Sequence, residues 1–154
     1  MVRDGHRREF GMIIAIASDH GGFELKGKGK EYLRSRDIKV VDLGTNSTES
    51  VDYPVYGKAC AEAVASGKAD RGIVCCGTGI GISITAKKIK GIRCALCHDC
   101  FSAKATRLHN DANMLAMGAR VVGPGLAIEI VKNFLATDFS NEERHIRRIK
   151  QIED

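Results

Sequence analysis

Tryptophan is absent from this 154-residue chain, prolines number only two, and aromatic side chains make up 5% of it. The one cluster of basic residues, Arg144-His145-Ile146-Arg147-Arg148, has no aromatics interleaved with it. The formal charge of +5 comes from 24 basic and 19 acidic residues spread along the chain. Such a surface gives a mild positive potential suited to small anionic metabolites, and it argues against nucleic acid as a partner. No apolar run approaches the ~18 residues of a membrane-spanning helix, so no membrane partner is expected. Residues 1–10 lack the apolar core of a secretory signal, and residues 1–11 read as a disordered leader ahead of one domain over 12–154. No repeat, linker or low-complexity tract divides that domain, which is long enough for a full core.

Six cysteines stand out against this background: Cys60, Cys75, Cys76, Cys94, Cys97 and Cys100. Without a secretory signal, and with several inside apolar runs, they fit a reduced, cytoplasmic protein better than a disulfide framework. Cys94-Ala95-Leu96-Cys97-His98 matches the C-x-x-C-H pattern of covalent haem attachment. The same stretch reads as a buried strand with Cys94 facing the core, and haem attachment requires export. Adding Cys100 gives three thiols, but a strand-to-helix junction does not present them tetrahedrally to zinc.

Short β-branched runs alternate with longer amphipathic stretches, the pattern of a parallel sheet covered by helices on both faces. Strands are expected over residues 12–17, 38–41, 71–75, 92–97 and 113–117, the last continuing through Arg120-Val121-Val122. Helices are expected over residues 23–36, 53–66, from the glycine loop to 88, 99–108, 124–136 and 141–152. Proline at 54 and 124 suits a first helical turn, and Gly67 suits a stop.

The most informative stretch is Cys76-Gly77-Thr78-Gly79-Ile80-Gly81, between the third strand and the following helix. Its glycines let backbone N–H groups close on an anion, and the helix adds the positive end of its dipole. A cysteine at the first position of such a loop is placed to serve as a base or nucleophile. The motif is not a dinucleotide fingerprint, because the third glycine comes one position early and no such motif follows strand one. No G-K-[ST] follows, so it is not a Walker loop either.

In open α/β sheets, ligands bind beyond the carboxyl ends of the strands. Ser18-Asp19-His20-Gly21-Gly22, the Cys76 loop and Cys97-His98-Asp99 are expected there, and so is His109-Asn110-Asp111 before strand five. Asp19 and His20 read either as a helix cap with a surface histidine or as site residues, and the paired glycines favour the site. Cys75 and Cys76 point to opposite faces by strand alternation, Cys75 into the core. Arg144 and Arg148, four apart on one helical face, read equally as a solvated basic face or a fork for phosphate. Tyr53 and Phe101 read as packing residues.

These motifs, with Val51-Asp52-Tyr53-Pro54, Gly91-Ile92-Arg93 and Gly118-Ala119-Arg120-Val121-Val122-Gly123, resemble type B ribose-5-phosphate isomerase over about residues 12–152. The family includes galactose-6-phosphate and allose-6-phosphate isomerases, so the resemblance fixes the reaction better than the sugar. It implies a three-layer, Rossmann-like α/β/α sandwich with a mostly parallel five-stranded sheet. It further implies an aldose–ketose isomerase without metal or cofactor, and a homodimer or dimer of dimers with active sites at the interface. By resemblance, Cys76 moves a proton between C1 and C2, and Gly77, Thr78, Gly79, Ile80 and Gly81 hold the enediolate oxygens. His109 opens the furanose ring, and Asp19 and Asn110 contact sugar hydroxyls. His20, Arg144 and Arg148 hold the phosphate, and Arg120 is a further ligand contact. Some of these residues are expected from the neighbouring subunit. Relatives with serine at the loop cysteine use a glutamate where this chain has Ile80, so this chain follows the cysteine scheme. Asn141-Glu142-Glu143 ahead of Arg144 departs from the family's paired glycines and sets acids beside the phosphate site. A non-catalytic sugar-phosphate or nucleotide-binding module would explain the glycine loop but not its thiol.

Overall fold

In the computed structural model, which describes residues 11–154, five strands form one parallel sheet in the order β2-β1-β3-β5-β4. The strands are β1 (Ile13–Ser18), β2 (Lys39–Asp42), β3 (Arg71–Cys76), β4 (Cys94–Leu96) and β5 (Met114–Gly118). The helices are α1 (Phe23–Ser35), α2 (Tyr53–Ala65), α3 (Ile80–Lys87), α4 (Cys100–Asn110), α5 (Pro124–Ala136) and α6 (Glu143–Glu153). A 3-10 turn, His20–Gly22, joins β1 to α1. The expected leader lies, apart from Gly11, outside the described residues.

The central strands are buried on both faces, as a parallel sheet demands, and all six residues of β3 are buried. Side-chain alternation then divides the core in two. Ile14, Ile16, Ile73, Cys75 and Leu115 join Leu25 and Leu33 of α1, Ala103 of α4 and Ile130 and Phe134 of α5 on one face. Ala15, Ala17, Val74, Cys76 and Met114 join Cys60 and Val64 of α2 and Ile82 and Ala86 of α3 on the other. The result is three layers, with α6 lying outside them against α4.

The expected five-stranded sheet is present and wholly parallel, and several bounds shift for local reasons. Cys76 is the last residue of β3 rather than the first of the loop. Arg120, Val121 and Val122 are not strand: the Val121 and Val122 amides both donate to the Gly118 carbonyl at 3.0 Å, turning the chain toward Pro124. The fourth strand is shorter than expected because the Arg93 amide donates to the Asn113 side chain instead of a neighbouring strand. α4 runs on to Asn110 and so takes in His109.

One buried charge ties α1 to the carboxyl edge. Lys26, 1% exposed, donates to Asp42 at 2.8 Å and to the Thr45 carbonyl. Lys30 reaches the other Asp42 oxygen at 2.6 Å. The Gly44–Thr45 segment in turn pairs with Ser18, through Ser18 N to Gly44 O at 2.8 Å and Thr45 N to Ser18 O at 2.7 Å. Burial pushes the Asp42 carboxyl up, yet hydrogen bonds from Lys26, Lys30 and the Gly44 amide outweigh it and hold the group below its ordinary 3.8. A carboxyl depressed in the folded state adds stability above its ordinary pKa, and that contribution is lost as pH falls through the folded value. Lys26→Met should therefore cost about 3 kcal/mol near neutral pH in urea unfolding. The loss should shrink in acid, well below the ordinary 3.8, as Asp42 takes up its proton. Equal losses at both pH values would remove Asp42 as the partner that matters.

Candidate active site

The sheet order places β1 beside β3, and their following connections leave toward opposite sides, so a crevice opens at their carboxyl ends. Asp19 and Cys76 lie at the two strand ends that border it, both buried, at 7% and 4% exposure. Asp19 is buried and accepts from the Gly22 amide at 3.0 Å, capping the His20–Gly22 turn. That turn must pass against the end of β3, and only glycine allows it. A Cβ on Gly22 would sit 2.4 Å from the Cys75 carbonyl oxygen, and one on Gly21 would sit 3.3 Å from the Gly77 nitrogen. His20 Nδ1 accepts from the Val51 amide at 3.1 Å, so a neutral ring carries its proton on Nε2.

The loop after Cys76 is held as closely on its other side. Gly79 has φ +77, and a Cβ there would meet the Met117 carbonyl carbon at 2.7 Å and the Gly118 nitrogen at 2.9 Å. A Cβ on Gly118 would meet the Thr78 carbonyl at 2.5 Å. Left-handed backbone at Gly79 turns its amide onto Cys76 Sγ, at 3.1 Å. Thr78 is exposed, its hydroxyl oxygen accepting from the Ile80 amide at 3.2 Å, and Ile80 is half exposed. Gly81 lies under the Tyr53 ring, where a Cβ would come 2.5 Å from the ring carbon bearing the hydroxyl. Tyr53 therefore packs as expected while keeping 39% exposure beside the loop. Phe101 does not pack: it is 81% exposed.

Arg120 completes this group. Its amide donates to Gly77 O at 2.9 Å, and its side chain crosses Gly77, within 3.6 Å of the Cβ position there. With His20, Gly21 and Thr48 it lines a cavity of about 350 Å³.

His109, Asn110, Arg144 and Arg148 gather elsewhere, around a second cavity of about 420 Å³ at the end of α4 and along α6. The His109 and His145 rings lie 4.6 Å apart. The expectation of His109, Asn110 and Asp111 at the carboxyl edge is overturned. α4 leaves the carboxyl end of β4 and runs back about 16 Å to the amino end of β5. Arg93, just before β4, fastens this end by donating to Asn110 O at 2.8 Å and Asp111 O at 3.0 Å, and it pairs with Glu153 at 2.7 Å. Glu142 does not point away from the arginines but pairs with Arg144 at 2.8 Å. Thus Asp19, His20, Cys76, Gly77, Thr78, Gly79, Ile80, Gly81 and Arg120 come together at one edge of the sheet. His109, Asn110, Arg144 and Arg148 come together at the other.

Sequence reasoning missed Lys26 and His145. His145 is buried, hydrogen-bonded to Ser140 Oγ at 2.7 Å, and desolvation followed by the proximity of His109 holds its imidazole below the ordinary value. Nothing in the basic run around it marked one residue as the buried one, though an i, i+3/i+4 reading from Ile149 and Ile152 would have. Cys60, Cys75, Cys94 and Cys97 are buried like Cys76, and Cys100 is half-buried; burial pushes Cys75 and Cys94 up to about 12 and Cys97 to about 11. Among the described residues no group of three or more His, Cys, Asp or Glu side chains is placed to hold a metal ion. No helix among them is long and apolar enough to cross a membrane.

Residues 14–152 match the Ribose/Galactose Isomerase family. Ribose-5-phosphate isomerase B of Escherichia coli is 47% identical over 139 residues, 90% of this chain and 93% of that protein. A galactose-6-phosphate isomerase subunit of Clostridium acetobutylicum is 42% identical, covering 93% of this chain and 83% of its own. The solved ribose-5-phosphate isomerase B of Clostridium thermocellum superposes with a TM-score of 0.91 at 51% identity, over 92% of this chain and 95% of that one. With the thiol, its facing amide and the glycine contacts all in place within the matched span, the chain belongs to the ribose/galactose isomerase family.

Proposed function

We propose that this protein interconverts D-ribose 5-phosphate and D-ribulose 5-phosphate through an enediolate, with Cys76 as the base. The observation that carries the reading is the Gly79 amide on Cys76 Sγ, at the end of a buried strand beside a crevice. As thiolate, Cys76 takes the proton from C2 of the open-chain aldose, the C2–H electron pair forms the C1–C2 double bond, and the carbonyl electrons move onto O1. With a proton passing from the O2 hydroxyl to O1, return of the carbon proton from Cys76 to C1 lets the O2 electrons form the new carbonyl and gives the ketose. Hydrogen moves as a proton and no net oxidation occurs, so the chemistry needs no redox cofactor. The demand is stabilisation of the oxyanion, which fixed loop amides meet without reorganisation. Thr78 adds a hydroxyl, Asp19 orients sugar hydroxyls, and His20 and Arg120 receive the phosphate at the cavity they line. A cytoplasmic setting suits an enzyme that depends on a reduced thiol.

The division of the site argues for two copies. His109 for ring opening, Asn110 for a hydroxyl contact, and Arg144 and Arg148 for the phosphate stand at the amino edge, out of reach of their own Cys76. In a symmetric dimer each protomer's amino-edge group faces its partner's Cys76 loop. A groove of about 720 Å³ beside His109, lined in part by exposed Phe101 and Ile152, offers apolar surface for such a contact.

Cys76→Ala should lower turnover of ribose 5-phosphate, followed by ketose formation, by about a hundred- to ten-thousandfold with folding intact. Near wild-type turnover would remove the base. Mixing Cys76→Ala with His109→Ala protein under subunit exchange tests the shared site. One intact site per mixed dimer should restore about a quarter of wild-type activity. No recovery would place both residues in one subunit's site.

A further inference from the structure

We propose that His98 is a positioning residue for the Cys76 loop, holding the donor that faces the reacting sulfur. The inference deepens the isomerase reading above and rests on it for its kinetic consequences.

His98 follows β4 and belongs to the C-x-x-C-H stretch whose haem reading the fold excludes, since Cys94 is buried in the core. Its Nε2 receives the Gly118 amide at 3.0 Å. The donor is a backbone N–H, so Nε2 must present its lone pair and a neutral ring carries its proton on Nδ1. Gly118 is a junction rather than an ordinary strand end. Its nitrogen lies 2.9 Å from where a Cβ of Gly79 would stand, and its own Cβ position lies 2.5 Å from the Thr78 carbonyl. The next amide, Ala119 N, donates to Cys76 O at 2.9 Å. A shift of the Gly118 peptide therefore presses on Gly79, whose amide meets Sγ, and pulls on the Cys76 backbone at the same time. The same segment supports Gly79 a second way, through Leu96, whose Cδ1 lies 2.7 Å from the Gly79 Cβ position. Without an acceptor from His98, the part-buried Gly118 amide must turn toward water, and the loop moves with it.

A group acting only through geometry should alter turnover more than affinity. His98→Leu, which removes the acceptor but keeps apolar volume, should lower kcat about tenfold while KM changes less than about twofold. Glutamine can carry its side-chain oxygen to the place of Nε2, whereas the asparagine oxygen stops near the place of Nδ1. His98→Gln should therefore recover most of the lost kcat and His98→Asn should not. The Gln and Asn pair decides the matter even if the Leu variant fails to fold. Unchanged kcat in His98→Leu, or equal impairment in Gln and Asn, would overturn the proposal. Amide hydrogen exchange at Gly118 and Gly79, read without substrate, should quicken in His98→Leu and return toward wild type in His98→Gln. Unaltered exchange would overturn the role of His98 whatever the enzyme does. Wild-type protein inert toward ribose 5-phosphate, with exchange behaving as expected, would overturn the isomerase reading alone.

Discussion

The contact between the Gly79 amide and Cys76 Sγ sets the terms for the rest of this molecule. To make it, the chain must reverse into left-handed backbone three residues past the end of β3, in a space already bounded by β5. That leaves room for main chain alone, which is why Gly22 lies on Cys75, Gly79 on Met117 and Gly118 on Thr78. A site assembled from peptide against peptide has donors that cannot swing away. Fixed dipoles of this kind stabilise a developing oxyanion without reorganisation when charge appears. Glycine is entropically costly elsewhere in a fold, and here it is the only residue that permits the geometry.

A parallel sheet imposes a second constraint. Every strand ends at the same edge, so each connecting helix must return its chain to the opposite edge before the next strand begins. Residues at strand ends and residues at helix ends are therefore separated by the sheet's height. Asp19, His20, Cys76 and Arg120 belong to the first set, and His109 and Asn110 to the second. α6 follows the second set because Arg93 holds its far end through Glu153 and Ser140 N donates to Leu108 O. A fold of this class can unite the two sets by placing one copy's amino edge against another's carboxyl edge.

The layers and the order of elements were legible in the sequence because periodicity of apolar residues reports burial directly. The Cys76 loop was legible for a different reason: three glycines after a thiol at a strand end mark a backbone built to approach something closely. Opposite facing of Cys75 and Cys76 followed from strand alternation alone. The placement of His109 was not legible, since proximity to strand five in sequence says nothing about which end of the strand is meant unless the helix direction is carried through. Lys26 was hidden because a lysine within a helix of many lysines gives no sign of burial until its partner Asp42, from a separate strand, is brought beside it. Phe101 misled because an aromatic on an amphipathic helix ordinarily packs, whereas this one stands 81% exposed.

At the proposed phosphate end of the site, magnitudes decide between roles. Arg144 is engaged by Glu142 in the free chain, but both side chains are about half exposed. Such a pair is worth ~0–1 kcal/mol. A charge-assisted hydrogen bond from an arginine to phosphate is worth ~1.5–3 kcal/mol. If Arg144 takes the phosphate as proposed, the acid yields to the dianion rather than blocking it, at a modest loss of affinity. What Glu142 cannot affect is the reacting end, which is built from a different edge of the sheet and from backbone rather than charge. On the proposed reading, the arginines of α6 join His20 and Arg120 in anchoring the substrate, while the Cys76 loop acts on its carbonyl end.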